Sequence, residues 1–282
     1  MHIVLSVLTV IAAAASTATM KDRLPLEVDV RGDVSRYEAV MLWYGIRNDS
    51  TASQTVDLGY DRIGNFTFVL EGPDGSVQKR TPVVRPWDHG ARLPTLTLAP
   101  GESYRQHIVL NEWLRFDQAG AYSLRIELTG QAASALSIVG DAARQVWIRP
   151  ANPGQIDAKC KVLLNFLTGY RLRDNDYQAA VEELTWTRHP VAVPYLEEAI
   201  AAEVNPSLFE ALVGIGTVEA RTAVVRLTRH PTPWVANSAR NALSRFGPGK
   251  LAAGGPHPWL GRHHRTTGSG EAGRAVDEAE PR

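Results

Sequence analysis

Few places in this chain put chemically capable side chains close together. Arg85-Pro86-Trp87-Asp88-His89 sets an imidazole beside a carboxylate, the pair from which a general base is built. Neighbours on an extended chain point apart, however, and no nucleophile accompanies them. The expected role of this stretch is a loop anchored by Trp87, with a hydrolase using Asp88 and His89 as the enzymatic alternative. Glu112-Trp113 is read the same way, with Trp113 and Phe116 closing the end of a core under Tyr122. His257, His263 and His264 offer nitrogen donors, but a structural metal site needs about four fixed ligands, and the surrounding Gly, Pro and Ala fix nothing. Cys160 is the single cysteine, so an intramolecular disulfide and cysteine-rich metal centres are excluded, and the thiol is expected to be a small core side chain. Gly268-Ser269-Gly270 lies where no packed scaffold can orient a nucleophile. Walker, dinucleotide-binding, zinc-protease and nucleophile-elbow motifs are lacking. These residues predict no catalytic group, no cofactor and no metal.

Charge narrows the partner. Lys plus Arg and Asp plus Glu are 30 each, which gives no basic field for a nucleic acid. The local pattern is uneven. Residues 217–247 carry Arg221, Arg226, Arg229, Arg240 and Arg245 against Glu219, a net +4, whereas residues 188–216 are net −3. Solvated faces that attract one another are one reading. The other is a polarised surface that docks a charged protein segment, with those five arginines as the partner-binding candidates.

The elements that must position these side chains change character along the chain. Ile3 to Ala15 is a largely apolar run of 13 residues followed by Ser16-Thr17-Ala18-Thr19. As a helix it reaches about 20 Å, short of the roughly 30 Å hydrocarbon core, so residues 1–19 are expected to be a signal peptide rather than a membrane anchor. That places the protein in the periplasm or outside the cell, with a start at Met20 and a cytoplasmic product as the alternative. No transmembrane segment is expected after cleavage.

From residue 22 to 150 the period is two, interrupted by turn residues, which predicts about eight short strands. In Glu38 to Arg47, Val40, Leu42, Tyr44 and Ile46 fall on one face; Asp74-Gly75 and Pro100-Gly101 mark turns. Asp117-x-x-Gly120-x-Tyr122 resembles the tyrosine corner of immunoglobulin-like folds, in which a Tyr hydroxyl bonds upstream backbone. Leu124 stands where antibody domains have a cysteine. With Asn48-x-Ser50, Asp74-Gly75 and Pro100 to Ser103, the region is similar to the intracellular proteinase inhibitor type of β-sandwich. The resemblance implies a sandwich and, through a loop such as Arg80 to Pro94, an inhibitor as an alternative function.

From residue 157 to 247 the period becomes helical, and an internal repeat appears. Val204 to Gly216 aligns with Val235 to Gly247, matching Val204/Val235, Ser207/Ser238, Ala211/Ala242, Leu212/Leu243 and Gly216/Gly247; Ala180, Val181 and Leu184 give a weaker third copy. Each Gly falls where a left-handed C-cap ends a helix. About three helix pairs follow, and they resemble HEAT-like repeats. Thr187-Arg-His-Pro190 and Thr228-Arg-His-Pro231 read as one stop-and-restart device used twice. Residues 248–282 are expected to be a disordered tail. The expected fold class is therefore two-domain: an all-β immunoglobulin-like sandwich and an all-α HEAT-like stack. The expected function is a non-catalytic secreted or periplasmic adaptor that binds another protein.

Overall fold

The computed structural model describes residues 23–30, 33–82, 93–140, 143–169 and 175–246. The proposed signal segment, Asp88 and His89, Gly247 and the tail with its histidines lie outside the described residues. Eleven strands are described: β1 Leu24–Val30, β2 Asp33–Ser35, β3 Met41–Arg47, β4 Gln54–Asp57, β5 Phe66–Glu71, β6 Val77–Arg80, β7 Thr95–Leu98, β8 Ser103–Val109, β9 Gly120–Leu128, β10 Leu136–Ile138 and β11 Ala143–Arg149. They form sheets of order β10-β1-β3-β8 and β2-β11-β9-β5-β6, with β4 and β7 as a separate pair. Both larger sheets mix directions: β1 runs parallel to β10 and β2 parallel to β11, while the other pairs are antiparallel. Leu42, Tyr44 and Ile46 from one sheet meet Phe66, Phe68, Leu70 and Leu124 from the other in a shared core, as the period of two predicts.

The corner after β8 is built as the residues imply. The Tyr122 hydroxyl donates to the Gln118 carbonyl and accepts from the Gln118 N–H, both at 3.0 Å. Phe116 packs edge-on against the Tyr122 ring at 5.3 Å. Gly120 has φ 146°, and a Cβ there would lie 2.7 Å from Pro73 Cβ, so only glycine fits.

Seven α-helices are described: α1 Gly130–Ala135 between β9 and β10, then α2 Pro153–Gly169, α3 Asn175–Trp186, α4 Val193–Ala201, α5 Leu208–Ile215, α6 Val218–Leu227 and α7 Pro233–Leu243. Contacts run from α2 to α4 to α6 and from α3 to α5 to α7, giving two rows around a core of Leu, Val and Ala. The repeated positions Val204, Val235, Ala211, Ala242 and Leu212 are buried in that core, and Gly216 ends α5 at φ 68°. The Thr-Arg-His-Pro echo also has a common cause. His189 Nδ1 accepts the Val191 N–H and His230 Nδ1 accepts the Thr232 N–H, each at 3.2 Å.

The expected fold class is corrected by this structure. Of the described residues, 40% are helical and 30% are in strands, in one mixed α/β protein rather than an all-β domain followed by a separate all-α stack. The reason lies on the outer face of β3 and β8. Met41 and Trp43, which alternate with the core set, face a second apolar cluster with Ala39, Val109 and the helix α3 residues Ala179 and Trp186. Helix α3 therefore covers that sheet, and strands and helices share buried surface. The turn before β3 reinforces the contact: Tyr37, at φ 77°, accepts the Arg188 N–H at 2.8 Å, and its ring lies 6.0 Å from His189.

Candidate functional site

The five arginines singled out by charge divide into two groups. Arg226 binds Glu197 on α4 through two nitrogens, at 2.6 and 2.5 Å. Arg245 binds both oxygens of Glu210 on α5, one at 2.7 Å. These two link successive helix pairs, which is why a basic unit follows an acidic one. Arg221 and Arg229 are exposed and enter no ion pair among the described residues; Arg240 donates to Asn237 Oδ1 at 2.7 Å and to the Thr228 carbonyl at 3.3 Å, beside Arg229.

On α6 the helical period places Val218, Arg221 and Val225 in one stripe within about 60° of arc, and Arg229 follows in the turn after the helix ends at Leu227. The stripe faces water. Val218 is 64% exposed and Val225 39% exposed, although apolar residues on a helix normally turn inward. The buried side of the same helix carries Ala220, Ala223, Val224 and Leu227. The result is an outward face that is basic and apolar together.

A second cluster lies at the seam between α3 and the sheet, and sequence reasoning found only one of its members. Glu112, in the short turn after β8, is exposed and lies near Glu182 and Trp186 of α3; partial loss of solvation and then the charges of Glu182 and Asp61 raise its pKa. Glu182 Oε2 meets His107 Nε2 at 3.1 Å. The His107 ring lies tilted at 5.0 Å from that of Trp43, and the Arg105 guanidinium sits 4.3 Å over the Trp43 ring. On the far side of α3, Lys159 bridges Glu38 at 2.9 Å and Glu183 at 2.7 Å.

The missed residues leave a faint mark in the sequence. Arg105, His107 and Val109 occupy the face of β8 that an open sheet gives to water, and burial of His107 there requires a cover that no local period reports. Cys160 is buried and its thiol is pushed up to about 12 by lost solvation, so it rests as a neutral core group, as expected. Among the described residues no group of three or more His, Cys, Asp or Glu could hold a metal ion, and no helix is long and apolar enough to cross a membrane.

No family model and no curated protein matches this chain. Solved structures match weakly. A β-glucosidase from Listeria innocua aligns at 10% identity and TM-score 0.28 over 45% of this chain, which spans 16% of the glucosidase. The Pseudomonas fluorescens alkylpurine DNA glycosylase AlkC bound to DNA aligns at 9% identity and TM-score 0.26, covering 46% of this chain and 31% of that one. A CARDB domain from Pyrococcus furiosus, in complex with di-metal ions, aligns at 9% identity and TM-score 0.24, covering 45% and 87%. At these scores the likenesses carry no functional argument.

Proposed function

We propose that this protein is a non-catalytic, exported adaptor that binds an acidic segment of another protein along helix α6. The observation that supports it is the exposed stripe Val218, Arg221 and Val225, with Arg229 just past the helix end, which mixes apolar surface with arginines that no ion pair among the described residues neutralises. Arginine forks bind carboxylates in pairs, and desolvating two valines beside them adds a non-directional attraction. Ion pairs to Glu197 and Glu210 hold α6 and α7 against the preceding helices, so the stripe is presented on a braced surface rather than a loose one. The run Ile3 to Ala15 supports export.

The test is crosslinking and mass spectrometry in the native host, with the full chain and with an Arg221→Glu, Val225→Ser, Arg229→Glu variant. All three positions are exposed, so the variant is expected to keep its melting temperature. Partner crosslinks that map to α6 and vanish in the variant support the reading. An unchanged crosslink set in a folded variant refutes it.

A further inference from the structure

We propose that the outer face of the β2-β11-β9-β5-β6 sheet is a binding platform for a neutral saccharide, with the Trp147 indole as its stacking surface and Gln145, Ser123 and Glu71 as a hydroxyl-binding row beside it. The platform follows from the pleat. Val146 and Ile148 point into the core, so Gln145, Trp147 and Arg149 point outward, and all three are exposed. Helix α3 covers the outward side of β3 and β8, whereas β11 keeps its outward residues in water.

Trp147 is out of place on such a face. It is 54% exposed, although tryptophan is a highly buried side chain on average. Among the described residues no ring or guanidinium stacks on it, and its indole N–H has no hydrogen-bond partner. Strand β11 lies between β2 and β9, so the ring stands on an interior strand and not at a frayed edge. Its register partner on β9 is Ala121, whose methyl group leaves the indole unobstructed on that side.

The row beside the ring is a separate observation. Register sets Gln145 opposite Ser123 and Ser123 opposite Glu71, one outward position along the strands from Trp147. At a strand spacing of about 4.8 Å the row crosses about 10 Å of surface, the span of a short oligosaccharide. None of the three side chains makes a hydrogen bond among the described residues. Gln145 and Ser123 can donate and accept, and the Glu71 carboxylate accepts. A sugar brings hydroxyls that do both, and a C–H face that suits the negative face of an aromatic ring.

Charge decides which saccharide. On the same outward face Arg149 is paired with Asp33, and Lys79 and Arg125 both engage Glu127, at 2.7 and 3.0 Å. These cations are already matched, so a carboxylate or sulfate finds no free one, and Glu71 repels it. A protein partner would need a dry apolar centre around the tryptophan, but the ring is bordered by polar side chains that such a partner must desolvate. The platform uses none of the α6 residues and stands or falls apart from them.

The test is isothermal titration of the full chain with neutral hexasaccharides (cellohexaose, maltohexaose, mannohexaose, xylohexaose and chitohexaose) and with acidic hexagalacturonate, each up to about 1 mM. Saturable binding of a neutral member, and none of hexagalacturonate, is expected. Trp147→Ala is expected to weaken that binding by about tenfold or more. Ser123→Tyr keeps the indole and suits a strand but fills the row, and it is expected to weaken binding as well. Melting curves show that each variant is folded; should Trp147→Ala unfold, Ser123→Tyr decides. The Arg221→Glu, Val225→Ser, Arg229→Glu variant is expected to bind the glycan as the native chain does. No binding of any neutral hexasaccharide overturns the proposal, as do tighter binding of hexagalacturonate and unchanged affinity in the folded Trp147→Ala or Ser123→Tyr chain. Self-association that sedimentation detects in the native chain and not in Trp147→Ala, without glycan binding, assigns the face to a second copy and overturns it too.

Discussion

Lys159→Met tests whether the strand-rich and helical parts are joined by charge as well as by apolar contact. Lys159 on α2 reaches Glu38, in the turn before β3, at 2.9 Å and Glu183 on α3 at 2.7 Å. The lysine side chain is 22% exposed, that of Glu38 3% and that of Glu183 10%, so both carboxylates are nearly out of water. Glu38 also accepts the Ser35 N–H at 2.7 Å, which holds it in place and prevents easy escape to solvent. Removing the shared cation strands two like charges near one another, a loss of about 3–5 kcal/mol by comparison with other buried pairs broken from one side. With about 2–4 °C per kcal/mol for a chain of this size, the melting temperature is expected to fall by about 6–20 °C. Thermal unfolding followed by circular dichroism measures it. Adding Glu38→Gln and Glu183→Gln to Lys159→Met removes the stranded charges and is expected to recover much of the loss. A melting temperature within about 2 °C of the native value for Lys159→Met, or no recovery in the triple variant, would refute the reasoning.

Two further substitutions probe the helical rows. In Gly214→Ala the new Cβ would lie 2.8 Å from Arg188 Cζ, where the guanidinium bonds the Glu210 carbonyl and stacks 5.1 Å over Trp186; a loss of about 1–3 kcal/mol is expected in urea unfolding, and a neutral result would show that Arg188 relocates freely. His189 accepts the Val191 N–H through Nδ1, and burial holds its pKa below the usual value of 6.5. A depressed base is neutral in the fold, so its stabilisation is present above the unfolded value and is lost as pH falls through the folded one. Melting between about pH 7.5 and about pH 5.5 is expected to show a native decline that His189→Asn reduces; identical slopes would remove the histidine from the pH response.

Much of the local structure was legible from side-chain spacing. Leu42, Tyr44 and Ile46 alternate and are buried together. Tyr122 finds the backbone of Gln118 because Gly120 lets the chain turn past Pro73. The Thr-Arg-His-Pro echo becomes two histidine caps, and Gly216 closes α5 in the left-handed conformation. Other parts were not legible. Helix α1 and strand β10 occupy a stretch too short for either period to register, and β10 pairs with β1, more than a hundred residues away in sequence. The parallel pairings of β1 with β10 and β2 with β11 depend on distant partners, and no hydrophobic pattern encodes direction.

The partition of the arginines shows the same boundary. Net charge per repeat identified all five, but only the packed helices assign Arg226 to Glu197 and Arg245 to Glu210 and leave Val218, Arg221, Val225 and Arg229 facing outward. Glu112 illustrates it further. Its sequence neighbours suggest an ordinary turn residue, and its raised pKa comes first from lost solvation and then from the charge of Glu182, seventy positions along the chain. The sequence by itself determined where most of the longer strands and helices form, because periods of two and 3.6 are local properties of the backbone. Only the tertiary structure decided that α3 lies on β3 and β8, making one mixed α/β protein, because which face covers which is set by the sum of many long-range contacts and by no single segment.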